Sequence, residues 1–405
     1  MPAAPIFRFI HLDRVILSCH AIEFYLTMHS ISVHILKNYP CFFRFLLFTC
    51  LCFLIYVAAR GQQAKDSLPK KWLLSAYAET YLVIPTNNSS ESKLANFLYN
   101  FNRTNAFKFN QAFASADYSG DKFRMQLAVQ TGTYVTDNYS GEPAALRPLL
   151  KCFIGIPLDV KKDIWLEAGV FPSYIGFENT VAFENQTLTR SLLAENSPYY
   201  MSGLRVSHPL GKKSTFSWYL LTGWQRIVPQ KNNSLPALGW QWNIRPNEHT
   251  TLNWSGFAGS AYPDSSRRWR YFQNLYWQYQ LQRWKITAGL DIGLEQSFRA
   301  SAKYLTWLSP VLIAGYQWNE KWSSAMRLER YHDPHGIIAR SDSGIPVVSN
   351  GISFNIDYQP LPQLLCRAEW RNLKGNDPIF LATAAGSDRM SFFSFSLSYR
   401  LKKSL

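Results

Sequence analysis

Residues 122–130 read Lys-Phe-Arg-Met-Gln-Leu-Ala-Val-Gln, and apolar and polar residues take turns along the stretch. Phe123, Met125, Leu127 and Val129 fall on one side of an extended chain, while Lys122, Arg124, Gln126 and Gln130 fall on the other. Successive side chains of a β-strand point to opposite faces, so this strand has one greasy face and one charged face. Working outward, alternation and turn residues predict sixteen strands. They lie near residues 72–83, 105–117, 122–134, 147–157, 163–173, 197–207, 214–223, 237–245, 249–260, 268–280, 282–293, 304–318, 321–331, 348–358, 363–372 and 390–401. Each is close to the roughly 9–11 residues that a tilted strand needs to cross a bilayer.

The connections are as informative as the strands. Ser119-Gly120-Asp121 is tight and 135–146 is long; 159–162 is tight and 174–196 is longer still. Asn247-Glu248, Gln280-Leu281 and Asn319-Glu320 are tight, each followed by a longer polar stretch. Short turns at one end and long loops at the other are the habit of outer-membrane barrels. A soluble sandwich has no reason to alternate in this way, and the absence of a fixed internal period argues against a propeller. The fold class expected is therefore all-β: one transmembrane up-and-down antiparallel barrel of about sixteen strands over residues 72–405.

Composition agrees. Hydrophobic residues make up 47% of the 405 and aromatics 16%, yet mean hydropathy is −0.17. No run after residue 61 approaches the roughly 18 apolar residues of a membrane helix, so the apolar content is spread over strands. In 282–293, Trp284, Ile286, Ala288, Leu290 and Ile292 alternate with Lys285, Thr287 and Asp291; in 363–372, Leu364, Cys366, Ala368 and Trp370 alternate with Arg367, Glu369 and Arg371. A charge on the lipid face near mid-membrane costs about 2–4 kcal/mol, which sends the charged set inward and requires a wet lumen. Trp72, Trp240, Trp242, Trp269, Trp277, Tyr279, Trp318 and Trp322 near strand ends suit interfacial girdles.

The N-terminal region reads as an export segment. Phe45–Ala58 is an apolar h-region behind Arg44, and Ala59-Arg60-Gly61 offers small residues for cleavage before Gln62. Residues 1–61 are read as signal peptide with an upstream extension, Met28 standing as an alternative start, and 62–71 as a short periplasmic lead. Four of six cysteines lie in residues 1–61; Cys152 and Cys366 fall at apolar strand positions and read as small hydrophobes. Without residues 1–61 the chain keeps 37 basic against 25 acidic residues, net +12. An exported chain meets no nucleic acid, so lipopolysaccharide or anionic solutes are the expected counterparts.

From residue 72 on, particular motifs carry a resemblance. They are Ala76-Tyr77-Ala78-Glu79, Phe97-Leu98-Tyr99-Asn100 with Asn105-Ala106-Phe107, the run Glu167–Glu178 (EAGVFPSYIGFE), Thr189-Arg190-Ser191, Ser197-Pro198-Tyr199-Tyr200 and Gly223-Trp224. With these the chain resembles the OmpL-like outer-membrane β-barrel porin family of Gram-negative bacteria. The resemblance implies a porin-like barrel in the outer membrane. The alternating terminal strand Phe393–Leu401 looks like a signal for the barrel assembly machinery, although Lys402–Leu405 follow it.

No site for covalent chemistry stands out, and no cofactor is expected. His332-Asp333-Pro334-His335 lies beside Gly336 and reads as a loop rather than a metal site, which needs a third ligand and a fixed backbone. No Gly-x-Ser-x-Gly elbow, P-loop or dinucleotide glycine pattern appears. The candidate functional residues are the inward charges: Lys108, Arg124, Lys151, Glu167, Arg205, Lys285, Asp291, Arg327, Glu329, Arg367, Glu369 and Arg371, with Glu79 and Asp357 beside them. Basic rings favour anions, but the two signs could equally pair across strands. The loop 174–196, carrying Glu178, Glu184 and Arg190, is the expected constriction. The expected function is passive diffusion of small hydrophilic solutes, not catalysis. A non-conducting surface adhesin or structural barrel is the main alternative, and assembly as a homo-oligomer is open.

Overall fold

The computed structural model describes residues 71–86, 92–380 and 386–405. The expected signal peptide, the alternative start at Met28 and the lead up to residue 70 lie outside the described residues. The chain forms β1 (Lys71–Pro85), β2 (Lys108–Ser119), β3 (Arg124–Thr131), β4 (Leu149–Asp159), β5 (Ile164–Pro172), β6 (Tyr200–Pro209), β7 (Ser214–Leu221) and β8 (Ala237–Asn247). It continues through β9 (Thr250–Gly259), β10 (Arg270–Leu281), β11 (Trp284–Gln296), β12 (Tyr304–Gln317), β13 (Trp322–His332), β14 (Val348–Leu361), β15 (Leu364–Gly375) and β16 (Arg389–Ser404). Neighbours in sequence pair antiparallel, and β16 returns to pair with β1 from Leu73↔Ser404 to Pro85↔Phe392, closing the sheet. The barrel thus has sixteen strands, as the alternation predicted.

Connections 120–123, 160–163, 210–213, 248–249, 282–283, 318–321 and 362–363 are tight. Those between them are longer, reaching 86–107 and 173–199. The long connections hold two short helices, α1 (Thr133–Asn138) and α2 (Leu192–Glu195). The alternation in Lys122–Gln130 predicted a strand running on to residue 134, but β3 stops at Thr131. Gly132 has φ +124°, and a Cβ there would stand 2.3 Å from the Asn110 carbonyl oxygen, so the chain turns at the glycine into α1.

Pairing registers keep each face consistent. Leu127, Ile154, Leu204, Leu220, Leu252, Leu275, Leu312, Leu328, Phe354 and Leu397 project outward and are 38–55% exposed, an apolar band far larger than a soluble monomer displays. Trp72, Trp242, Trp277, Trp318 and Trp322 are among the exposed large side chains, whereas Trp240 and Trp269 are only 9% and 8% exposed. Trp240 lies over Gly256, where a Cβ would come within 2.2 Å of its ring. Cys152 and Cys366 are both free thiols on the outer face. Pro310 interrupts the β12–β13 ladder; the Ser309 hydroxyl donates to the Arg330 carbonyl at 3.0 Å and takes over part of the missing pairing.

Inside, apolar side chains of the long connections pack against the barrel wall. Phe97, Leu98 and Phe101 from connection 86–107 cluster with Leu188, Leu192, Tyr331, Val347, Leu373, Phe380 and Phe392. A second cluster joins Tyr174, Tyr219, Phe257, Phe272 and Trp307, with Trp224 and Ile337 against it. These apolar contacts are the barrel's inner core. Leu312→Arg should destabilise the barrel by about 2–4 kcal/mol in lipid, measured by urea titration of folding into vesicles; an unchanged midpoint would mean that this face does not meet hydrocarbon.

Candidate constriction of the lumen

The connection 173–199 enters the barrel and runs along its wall. The Tyr174 hydroxyl donates to the Gly256 carbonyl at 2.9 Å, and the Gln241 amide donates to the Tyr174 carbonyl at 3.0 Å. The Gly176 amide donates to Asn274 Oδ1 at 3.1 Å. Gly239 and Gly289 make room for these rings: a Cβ would stand 2.1 Å from the Tyr174 hydroxyl oxygen and 2.5 Å from the Phe177 ring, respectively. Gln186 donates to the Lys285 carbonyl at 2.8 Å and accepts from the Thr287 hydroxyl at 2.6 Å. At the tip, Glu184 pairs with Arg400, and Lys402 stands 3.5 Å away; the Arg400 guanidinium lies 4.1 Å from the Phe183 ring centroid.

On β13–β15 the predicted charges form a latch. Arg327 is fully buried: it donates to Thr187 Oγ1 at 2.9 Å, the Thr189 carbonyl at 2.6 Å, Thr189 Oγ1 at 3.0 Å and Glu369 Oε1 at 2.9 Å. The other Glu369 oxygen accepts from the Thr189 amide at 2.5 Å. Arg371 donates to Glu329 Oε1 at 2.7 Å, and Glu329 Oε2 accepts the Leu192 amide at 2.6 Å. Arg367 grips Asp357 through two bonds of 2.8 and 2.9 Å, and its other donors hold the carbonyls of Ala182 at 2.7 Å and Asn185 at 2.9 Å. Asn355 accepts the Leu188 amide at 3.0 Å. Arg327, Glu329, Arg367, Glu369 and Arg371 therefore point inward but meet the loop, not open water.

The opposite wall differs. Glu167, buried on β5, is shared by two cations: Arg124 Nε at 2.7 Å and the Arg205 guanidinium. Arg124 also lies 4.4 Å from the Trp165 ring centroid. Both arginine side chains keep 29% and 23% of their surface accessible, and Lys151, paired with Asp117 at 2.9 Å, keeps 16%. Lys108 shares the inner face with Tyr81 across the β1–β2 ladder, and Lys285 shares it with Thr287 and Asp291. Asp291 is buried and accepts from Asn274 at 2.6 Å; Glu79, also buried, accepts from Asn110 at 3.2 Å.

The loop's own charged residues sit deep. Glu178 accepts the Ser191 amide at 3.1 Å and the Ser191 hydroxyl, and burial pushes its carboxyl up. Arg190 stacks 4.3 Å from the Tyr199 ring centroid. Glu195 on α2 was not singled out from the sequence, yet it ties two loops together. It accepts the Tyr99 amide at 2.7 Å and the Tyr199 hydroxyl at 2.9 Å. The inward strand glycines Gly239 and Gly289 do mark where Tyr174 and Phe177 approach the wall, since such glycines often mark close approach of another segment, but they carry no signal for Glu195.

A closed sixteen-stranded barrel with one long connection folded against its inner wall is the arrangement on which known proteins can be compared. Residues 72–401 match the family described as "Putative beta-barrel porin-2, OmpL-like". The chain belongs to this porin family. Its place is the Gram-negative outer membrane, and its family is one of porins rather than enzymes. No curated protein matches by sequence. Among solved structures, OmpF of Salmonella typhi aligns at TM-score 0.54 and 10% identity, covering 81% of this chain and 97% of that one. OmpT of Vibrio cholerae in its trimer form aligns at 0.52 and 7%, covering 83% and 100%. The anion-selective porin of Comamonas acidovorans aligns at 0.50 and 7%, covering 83% and 100%. At these identities the likeness is one of fold.

Two outcomes follow from the latch. Arg367→Ala frees the Ala182 and Asn185 carbonyls and leaves Asp357 without its cation, a loss of about 3–5 kcal/mol for a broken buried pair; protease nicking within 182–187 should become fast, and unchanged resistance would mean that the latch is not what holds the loop. Burial also raises Glu195 to about 7, against the Tyr99 amide, the Arg190 charge, the Tyr199 hydroxyl and the Arg371 charge, which favour ionisation. A raised acid stabilises the fold fully below its unfolded pKa of about 4.3 and loses that contribution as pH climbs through 7. Thermal stability should therefore fall between pH 5 and about pH 7.5 in the native protein, with a visibly flatter profile in Glu195→Gln, followed by heat-modifiable migration on gels.

Proposed function

We propose that this porin is a passive diffusion channel for small hydrophilic solutes, narrowed by connection 173–199 and weakly selective for anions. The observation that carries the reading is the unequal treatment of the two inner walls. Charges on β13–β15 are consumed by the latch, whereas Arg124, Arg205 and Lys151 retain surface on the wall of β3–β6. Two arginines share the single carboxylate of Glu167, so that wall presents an uncompensated positive charge to whatever passes. Basic groups at a narrow, water-filled place raise the local concentration of anions.

The same reading extends to partners. The apolar outer band faces outer-membrane lipid, and the excess basic charge suits the phosphates of lipopolysaccharide. Phe393–Leu401 serves the barrel assembly machinery as its insertion signal. A homo-oligomer is the proposed assembly, in keeping with the trimer form of the Vibrio cholerae barrel. The inner apolar clusters make the channel narrow, and they are also what a non-conducting surface barrel would show.

Planar-bilayer recordings in a tenfold potassium chloride gradient test the proposal. The reversal potential should lie on the chloride side and shift toward zero in Arg124→Gln combined with Arg205→Gln. A cation-side potential would end the anion argument, and complete absence of conductance would favour the adhesin or structural barrel.

A further inference from the structure

Between the two limbs of connection 173–199 lies a cavity of about 180 Å³. Ile175, Phe177, Ala194 and Pro198 give it an apolar lining, and Glu178, Arg190 and Tyr199 its polar groups. Arg190 is only 4% exposed. Its flat face rests on Tyr199, with centroid distance 4.3 Å, and at longer range on Tyr134, at 6.0 Å. Among the described residues its buried Nη2 has no hydrogen-bond partner, and no carboxylate forms an ion pair with the guanidinium.

This sets Arg190 apart from the other buried arginines of the lumen. Arg327, Arg367 and Arg371 each pair with a carboxylate; even Arg327 Nε, which is buried and makes no hydrogen bond, stands 3.3 Å from Glu329 Oε1. Burying a guanidinium with its donors unmet is strongly unfavourable. Stacking on tyrosine offsets part of that penalty and leaves the in-plane donors free. Those donors form a planar fork whose geometry matches a carboxylate. Glu178 does not take this role, because its two oxygens are engaged by Ser191.

We propose that Arg190 is the recognition group of a binding site for a small carboxylate with an apolar body, such as a short-chain or aromatic monocarboxylate. The proposal rests on the channel reading and deepens it: the solute class favoured at the constriction is one that can pair with Arg190 while its hydrocarbon part lies against Ile175 and Phe177. Tyr199 holds the guanidinium plane. The site sits beside the larger cavity of about 310 Å³, lined by Tyr99, Tyr200, Trp224 and Arg270, and shares Ser197 and Tyr199 with it.

The test uses the whole barrel, with sodium butyrate as probe and butyramide as its neutral isostere. In single-channel recordings butyrate should interrupt the chloride current saturably at millimolar concentration, and butyramide should not. Arg190→Gln should weaken that block at least tenfold, whereas Glu178→Gln, which removes a like charge from the cavity, should strengthen it. Equal block by the two probes, or block unchanged in Arg190→Gln, overturns the site. Calorimetry of butyrate binding to the detergent-purified barrel separates the two readings. Binding without conductance keeps the Arg190 site and removes the channel, and conductance without butyrate binding does the reverse. Heat-modifiable migration of each variant shows that it has folded.

Discussion

Every backbone amide and carbonyl that a strand carries into hydrocarbon must find a partner in the protein, because lipid offers none and each orphan costs several kcal/mol. That requirement explains the closure of β16 on β1, whose ladder runs without a break from Leu73↔Ser404 to Pro85↔Phe392. Once the sheet is a cylinder, the two-residue period of a strand divides its side chains between two media. Leu127 and Leu312 meet one and Arg124 and Asp291 the other; no register slip is tolerable, since a shift by one residue would exchange them. Register shifts occur at Glu79/Thr80 and Ala128/Val129 and, beside the tight turns, at Pro157/Asp159, Ile244/Asn247 and Tyr358/Leu361.

The interior then faces its own problem. Sixteen strands enclose more space than inward side chains can fill. The chain fills part of it with its long connections, which carry Phe97, Phe101, Leu188 and Leu192 into contact with Tyr331, Leu373 and Phe392. Apolar packing fixes how deep these loops sit but says little about register. Register comes from the latch, where Arg327 reads the Thr187 and Thr189 oxygens and Arg367 reads the carbonyls of Ala182 and Asn185. Planar guanidinium groups with several fixed donors can address successive carbonyls of an irregular segment, which a lysine ammonium cannot do.

Most of the architecture was legible in the sequence because it depends on local rules. Alternation in Lys122–Gln130 and its counterparts marks strands whatever their partners, and alternating loop lengths mark the two ends. The site was legible only in part. Parity says that Arg327 and Arg124 both point inward, but the difference between a latch and an accessible wall depends on which side the loop 173–199 leans against. That is a contact between segments some 140 residues apart, and no local pattern encodes it. Glu195 escaped notice for the same reason, as its partners Tyr99 and Asn100 lie in a different loop. The end of β3 at Thr131 was not legible because the turn comes from the backbone of Gly132, at φ +124°, and alternation of side chains does not report backbone conformation.

The two populations of arginine follow from one constraint. A charge excluded from lipid has to go inward, and an inward charge under a folded loop has to be neutralised there. Where the loop supplies carbonyls and the wall supplies Glu329, Glu369 or Asp357, the arginine becomes structural, because removing its partner would leave a bare ion in a dry place. Where the loop is absent, as over Arg124 and Arg205, the side chains keep accessible surface, and these are the residues to which the proposed anion preference is assigned. Arg190 falls in neither group: it is nearly as deeply buried as the latch arginines, yet its plane rests on tyrosine, its Nη2 has no hydrogen-bond partner among the described residues, and the residue lines a cavity. A guanidinium placed in that way is compatible with a stable barrel when its charge is met by something that comes and goes, which is the part proposed for a carboxylate solute.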